Sequence, residues 1–121
     1  MADPADVLRP GFVYPEWQTV VSPERQARKH FCCDIAAALY GDQADIAFFG
    51  MDSILATRHA GLPVNGSVHM RQVFRLTHPI AIDEPLMVRG EVTKVEPAKR
   101  GHVVWSSFAF VRPDGSVPLI S

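Results

Sequence analysis

The sequence predicts an α+β domain in which a helical region, with one long buried helix, is followed by a curved antiparallel β-sheet that wraps it. Three observations carry this. Apolar residues recur at spacings of three and four across residues 44–61, and at spacings of two beyond Val64. Strand-like segments then succeed one another about every ten residues with short connections, the pattern of antiparallel hairpins. The chain has 121 residues and is 47% hydrophobic, which suits one domain with its own core and is too short for two.

Residues 1–10 read as a frayed end. Residues 12–21 (FVYPEWQTVV) are aromatic and β-branched, as in a strand or extended arm, with an interruption at Pro15. Ser22-Pro23-Glu24 is a helix start, because Ser caps and Pro suits the first turn. That helix is expected to run to about Tyr40, where Gly41-Asp42 breaks it. In the next segment Asp45 is a candidate cap, and Ile46, Phe49, Ser53, Ala56 and Ala60 form an apolar stripe. Phe48, Met51, Ile54 and Leu55 widen it, which predicts a mostly buried helix. Gly61 and Pro63 stop it, with Arg58 and His59 in the last turn where positive charge is favoured.

Residues 68–76 then place Val68, Met70, Phe74 and Leu76 on one face and His69, Arg71 and Arg75 on the other, a half-buried strand. Residues 86–95 and 102–111 are the second and third strands of the sheet. Arg112-Pro113-Asp114-Gly115 is a turn, and residues 117–121 begin a fourth strand. The chain ends inside that strand, which raises the expectation of one half of a longer, two-unit protein.

Composition excludes several function classes. Twelve basic and thirteen acidic residues give a net charge of -1, without the basic excess of a protein that neutralises nucleic-acid phosphates. No apolar run approaches a membrane span, and the acidic start does not read as a signal peptide. Glycine-rich phosphate loops, dinucleotide fingerprints and nucleophile elbows are absent from the sequence. Cys32 and Cys33 read as reduced thiols, at least one packed inside, in a cytoplasmic protein. With His30 and Asp34 they look superficially like a metal cluster, but the spacing is too tight for four ligands to converge. Lys94, Lys99 and Arg100 gather on one hairpin, as a solvated tip or as a contact for coenzyme A phosphates.

The order helix, Ala-Gly-Leu-Pro, strand, turn, strand, strand resembles the hotdog fold, and within it the MaoC-like hydratase/dehydratase group. Three stretches carry the resemblance. They are Ala56-Thr-Arg-His-Ala-Gly-Leu-Pro63; Val73-Phe-Arg-Leu-Thr-His-Pro-Ile80 with Asp83-Glu-Pro-Leu86; and Val88-Arg-Gly-Glu-Val92 with Arg100-Gly-His-Val-Val104 and Pro113-Asp-Gly115. Together they span residues 42–121. The group's active-site motif is Asp, any residue, Asn, Pro, an aliphatic residue, His. Here Asp45 takes the Asp position and Gly50 falls where the His belongs. A register from Asp42 puts Ala47 there instead. Either way the His is missing, as in the non-catalytic half of two-hotdog or heterodimeric members.

The resemblance implies an acyl thioester of coenzyme A or acyl carrier protein as substrate, and no cofactor or metal. Hydrating an enoyl thioester needs an acid/base pair and a donor that polarises the carbonyl. Gly50-Met51 is a candidate for the donor, at a helix N-terminus; Gly50 alternatively just permits close packing. Asp45 is the matched carboxylate. Asp52 is a second acid on an apolar helix, placed as in hotdog thioesterases that use a helix carboxylate to direct water; otherwise it marks a helix face emerging to solvent. His59 is a candidate base or a dipole-favoured surface residue. Gly66 and His69 are candidate substrate contacts, His69 alternatively a solvated strand residue. Three functions follow: a MaoC-like hydratase or dehydratase with this chain as its structural half, a hotdog thioesterase using Asp52, or a non-enzymatic acyl-binding scaffold. A lone hotdog leaves a sheet edge bare, so a dimer is expected, with itself or with a sister hotdog.

Overall fold

A computed structural model gives the fold and describes residues 9–36, 38–62, 70–99 and 101–121. In chain order the elements are β1 (Trp17–Thr19), α1 (Pro23–Cys32), a 3-10 turn (Ile46–Phe49), α2 (Gly50–His59), β2 (Arg75–Leu76), β3 (Leu86–Ala98), β4 (Gly101–Val111) and β5 (Leu119–Ile120). The strands form one sheet in the order β1-β3-β4-β5-β2, antiparallel at every junction. Among the described residues, no helix is long and apolar enough to cross a membrane.

The long β3–β4 hairpin follows from strict alternation. Leu86, Val88, Gly90 and Val92 point inward, while Arg89 and Glu91 point out. Beyond Val92 the register shifts, with Val92 facing Ser106 and Lys94 facing Trp105, so Thr93 is a bulge. Gly90 sits opposite Phe108, and a Cβ there would lie 2.3 Å from the ring. Only glycine lets the Phe108 ring lie across the strand. Phe108 in turn stacks on Tyr14 at 5.4 Å, and Phe110 meets Phe49 of the 3-10 turn edge-on at 5.1 Å. These rings, with Ala56, Ile80, Leu86, Val88 and Leu119, make the core between α2 and the sheet.

Four sequence expectations are corrected. The first helix stops at Cys32 rather than near Tyr40. Asp34 adopts a left-handed φ of 58°, and Ile35 N–H bonds to His30 O while Asp34 N–H bonds to Phe31 O. This is a Schellman stop with Asp where Gly is usual, and it overrides the helix preference of the alanines that follow. The second helix is broken into the 3-10 turn and α2. It is also less buried than expected, since Met51 is 47% exposed and Ile54 also faces out. Its stop is as expected: Gly61 has φ 77°, and Leu62 and Gly61 N–H bond to Thr57 and Arg58 carbonyls. Within residues 70–76 only Arg75 and Leu76 are strand, because their partner β5 has just two residues; Met70 and Leu76 are exposed. Both cysteines are exposed, so neither is packed inside.

Candidate functional site

Two buried aspartates seven residues apart organise the region around α2. The first is Asp45, ahead of the 3-10 turn. Its Oδ1 accepts the Ala47 N–H at 3.0 Å, so it caps the turn. Its Oδ2 accepts from Lys29 Nζ at 2.9 Å and from His30 Nε2 at 3.1 Å. An ionised carboxylate only accepts, so His30 carries a proton on Nε2. Gln26 completes the grip: its Oε1 accepts the Asp45 N–H at 2.7 Å and its Nε2 donates to Gln43 O at 3.0 Å. Gln26, Lys29 and His30 stand at i, i+3 and i+4, one face of α1. Burial alone would push the Asp45 carboxyl up, but the bonds from Lys29, the Ala47 amide and His30 outweigh it and hold it below the usual range. With both oxygens engaged, Asp45 is an anchored anion.

Gly50 follows without a break. Because the 3-10 turn leads straight into α2, the Gly50 N–H is already bonded to Ala47 and Phe48 carbonyls. The open donor that the sequence places at Gly50 is therefore spent inside the turn. The free end of the helical segment is at Asp45, whose carboxylate caps it. Gly50 has a packing role instead, since a Cβ there would lie 2.9 Å from Gln72 Oε1. Met51 points its side chain outward.

Asp52 is the second aspartate, 4% exposed. It lies three residues after Phe49 and four before Ala56, on the inward face of α2, so the reading of a helix face emerging to solvent fails for it. Trp17 Nε1 donates to its Oδ1 at 3.0 Å and Thr19 Oγ1 donates to Oδ2 at 3.3 Å. Burial raises its pKa; the bonds from Trp17 and Thr19 and the charges of Arg25 and His59 oppose this without cancelling it. His59, two turns further along α2, stacks on the Trp17 ring at 4.6 Å. One indole thus joins Asp52 and His59 into a single patch between β1 and α2. Beside it, Tyr14 shares a hydrogen bond with Ser106 at 3.0 Å. Burial raises the Tyr14 pKa, against the bonds from Ser106 and Thr57.

Of the sequence candidates, Asp52 and His59 come together, Asp45 is locked to α1, and Gly66 and His69 lie outside the described residues. His30 bonds Asp45 rather than joining Cys32, Cys33 and Asp34, and no group of ligands fit for a metal exists among the described residues. Sequence reasoning missed Gln26, Lys29, Trp17 and Thr19. The polar i, i+3, i+4 stripe on α1 was a visible signal for the first two. Nothing local signals Trp17 and Thr19, which meet Asp52 from 35 and 33 residues away.

No protein-family model matches the chain, and no curated protein matches it by sequence. Solved structures do. A C-terminally truncated HadBC (3R-hydroxyacyl-ACP dehydratase) complex from Mycobacterium tuberculosis is similar with a TM-score of 0.74 and 17% identity, over 93% of this chain and 92% of that one. A MaoC-like dehydratase from Rhodospirillum rubrum gives a TM-score of 0.67 at 17% identity, over 95% and 89%. The (R)-hydratase from A. caviae involved in PHA biosynthesis gives 0.67 at 13%, over 93% and 92%. At such identities the likeness speaks for architecture, and it agrees with the helix-and-sheet order read from the sequence. The chain has the hotdog fold.

Proposed function

We propose that this protein is an acyl-thioester-binding hotdog subunit of the MaoC-like hydratase/dehydratase type, acting as the structural half while a sister subunit supplies the acid/base pair. The supporting observation is the state of the motif region. Asp45, at the motif's Asp position, has both oxygens committed to Lys29, His30 and the Ala47 amide. Gly50 or Ala47 stands where the His belongs. A carboxylate held by a cation and two N–H donors is a poor proton carrier. The protein is taken as cytoplasmic, with acyl-CoA or acyl carrier protein thioesters as its ligands and no cofactor.

A dimeric state belongs to this reading. Among the described residues, β5 pairs with β4 only at Ala109 and Phe110, leaving residues 101–107 of β4 without a ladder on that side. The HadBC neighbour is itself a complex, which favours a sister hotdog as partner. The test is light scattering followed by crotonyl-CoA hydration and acyl-CoA binding on one sample. Binding of acyl-CoA without hydration, by a self-dimer or by the chain without its sister, is the expected result. Hydration by the pure protein overturns the structural-half role, and failure to bind acyl-CoA overturns the ligand class.

One observation favours a second reading, a hotdog thioesterase. Asp52 is buried on neutral donors with its pKa raised, suited to taking a proton from an attacking water. Hydrolysis of acyl-CoA that is lost in Asp52→Asn, with fold and dimer intact, would replace the first reading with this one.

A further inference from the structure

Two exposed thiols stand side by side where α1 ends. Cys32 is its last residue and Cys33 its cap, and neither is in a disulfide. The turn that holds them is built from three backbone bonds: Cys33 N–H to Lys29 O at 2.9 Å, Asp34 N–H to Phe31 O at 3.3 Å, and Ile35 N–H to His30 O at 2.8 Å. Lys29 and His30, whose carbonyls accept two of these bonds, are also the residues whose side chains hold Asp45. The thiols are thus mechanically adjacent to the clamp on the motif region without touching it.

Geometry decides what bridging does. Neighbouring residues on a helix point away from each other, whereas a disulfide needs its Cβ atoms within about 3.5–4.5 Å. Cys33 has φ -98° and ψ 6°, and Cys32 is helical. A bridge between them therefore requires the Cys32–Cys33 peptide to leave this conformation, and that peptide carries the Cys33 N–H bonded to Lys29 O and leads directly into the turn closed by the Ile35 bond to His30 O.

We propose that Cys32 and Cys33 form a paired-thiol exchange site for small disulfides, and that bridging the pair releases the last turn of α1 and with it the grip on Asp45. One thiolate attacks a sulfur of the small disulfide, forming a mixed disulfide and expelling a thiolate. The neighbouring thiolate then attacks the protein-side sulfur and expels the second. The two protein thiols are oxidised and the small disulfide is reduced to two thiols, which take up the two protons. The strain places this bridge among the easily reduced disulfides.

The experiment treats the whole protein with oxidised glutathione and follows it by intact mass and by amide exchange. The wild type is expected to lose the mass of both thiol hydrogens and retain no adduct. Exchange at the Cys33 and Ile35 amides then speeds up by about tenfold or more and recovers on reduction. Cys32→Ser and Cys33→Ser each retain one glutathione and keep their protection. Stable adducts on the wild type, disulfide-linked chains, no reaction, or bridging with unchanged exchange overturn the proposal. So does loss of protection in the singly adducted variants, because bulk rather than bridging would then be the cause.

Discussion

Asp45 and Asp52 are buried to the same degree, 4% exposed each, and are driven in opposite directions. Asp45 meets an ammonium, an imidazole N–H and a backbone N–H, and its carboxyl is pulled down. Asp52 meets an indole N–H and a hydroxyl, and its carboxyl is pushed up. Burial alone does not decide what a carboxylate is for. A cation and a capped turn make an anchor, whereas two neutral donors leave a group that holds its proton more readily. The α1 side of the 3-10 turn thus holds its carboxylate on charged and backbone donors, and the patch between β1 and α2 holds one that keeps its proton more readily.

The largest break in that comparison comes from Asp45. Replacing it by Ala strands Lys29, His30 and the Ala47 amide at once. Loss of one partner from a buried charged network costs about 3–5 kcal/mol, and the partial exposure of Lys29 lowers this to about 2–4 kcal/mol. Denaturant unfolding checks it, with the midpoint falling and the slope unchanged. Asp45→Asn costs less because its oxygen still caps Ala47. The charge-dependent part of both deficits is full at neutral pH and is lost as pH falls through the folded-state pKa of Asp45, since a depressed carboxyl adds this stability only while it is ionised; the Ala variant keeps the cost of the missing cap in acid.

Gly90→Ala comes next and strikes the other side. The added methyl meets the Phe108 ring at 2.3 Å, and Phe108 contacts both Tyr14 and Trp17. Overpacking of this kind costs about 1–3 kcal/mol. Trp17 fluorescence should shift while the α1 clamp keeps its hydrogen-exchange protection. Equal loss of protection on both sides would show that the two regions are one cooperative unit.

His59→Ala is smaller. It removes the stack on Trp17 at 4.6 Å, worth about 0.5–1.5 kcal/mol. It also removes a charge that opposes the rise in the Asp52 pKa, so the Asp52 carboxyl should titrate higher in the variant. Carboxyl NMR titration reads this directly, and no movement would mean that His59 packs on the patch without tuning it.

The contrast between the regions also separates what was legible from what was not. Alternation through Leu86, Val88, Gly90 and Val92 announced β3, and Gly61 announced the end of α2, because those signals are local and periodic. The stop at Asp34 was hidden, because a left-handed Asp has no marker that distinguishes it from any other Asp. Asp52 was visible as an oddity on an apolar helix. Its burial was not, since the apolar spacing runs through Ser53, one position over, and its donors Trp17 and Thr19 come from a strand more than thirty residues earlier. Asp45 stands out in the sequence as a motif residue, but its clamp on Gln26, Lys29 and His30 is formed across the fold. Periodicity reports which face turns inward; it does not report which polar groups find each other there.

Asp52→Asn is the smallest effect and the sharpest test of the comparison, because its sign opposes that of Asp45. The folded protein binds the Asp52 proton more tightly than the unfolded chain does. Its contribution to stability is therefore complete below the unfolded carboxyl pKa, about 4, and is lost as pH rises through the folded value. Asn is neutral throughout and keeps an oxygen for the Trp17 indole, while its amide nitrogen can donate to the Thr19 hydroxyl. At neutral pH the variant should be slightly more stable than the wild type, with the advantage vanishing toward pH 4. Plotted against pH, the stability differences of Asp45→Asn and Asp52→Asn both close in acid, from opposite sides of zero. If both lay on the destabilised side at neutral pH, Asp52 would be a second anchor rather than a proton carrier, and the thioesterase reading would lose its chemical ground.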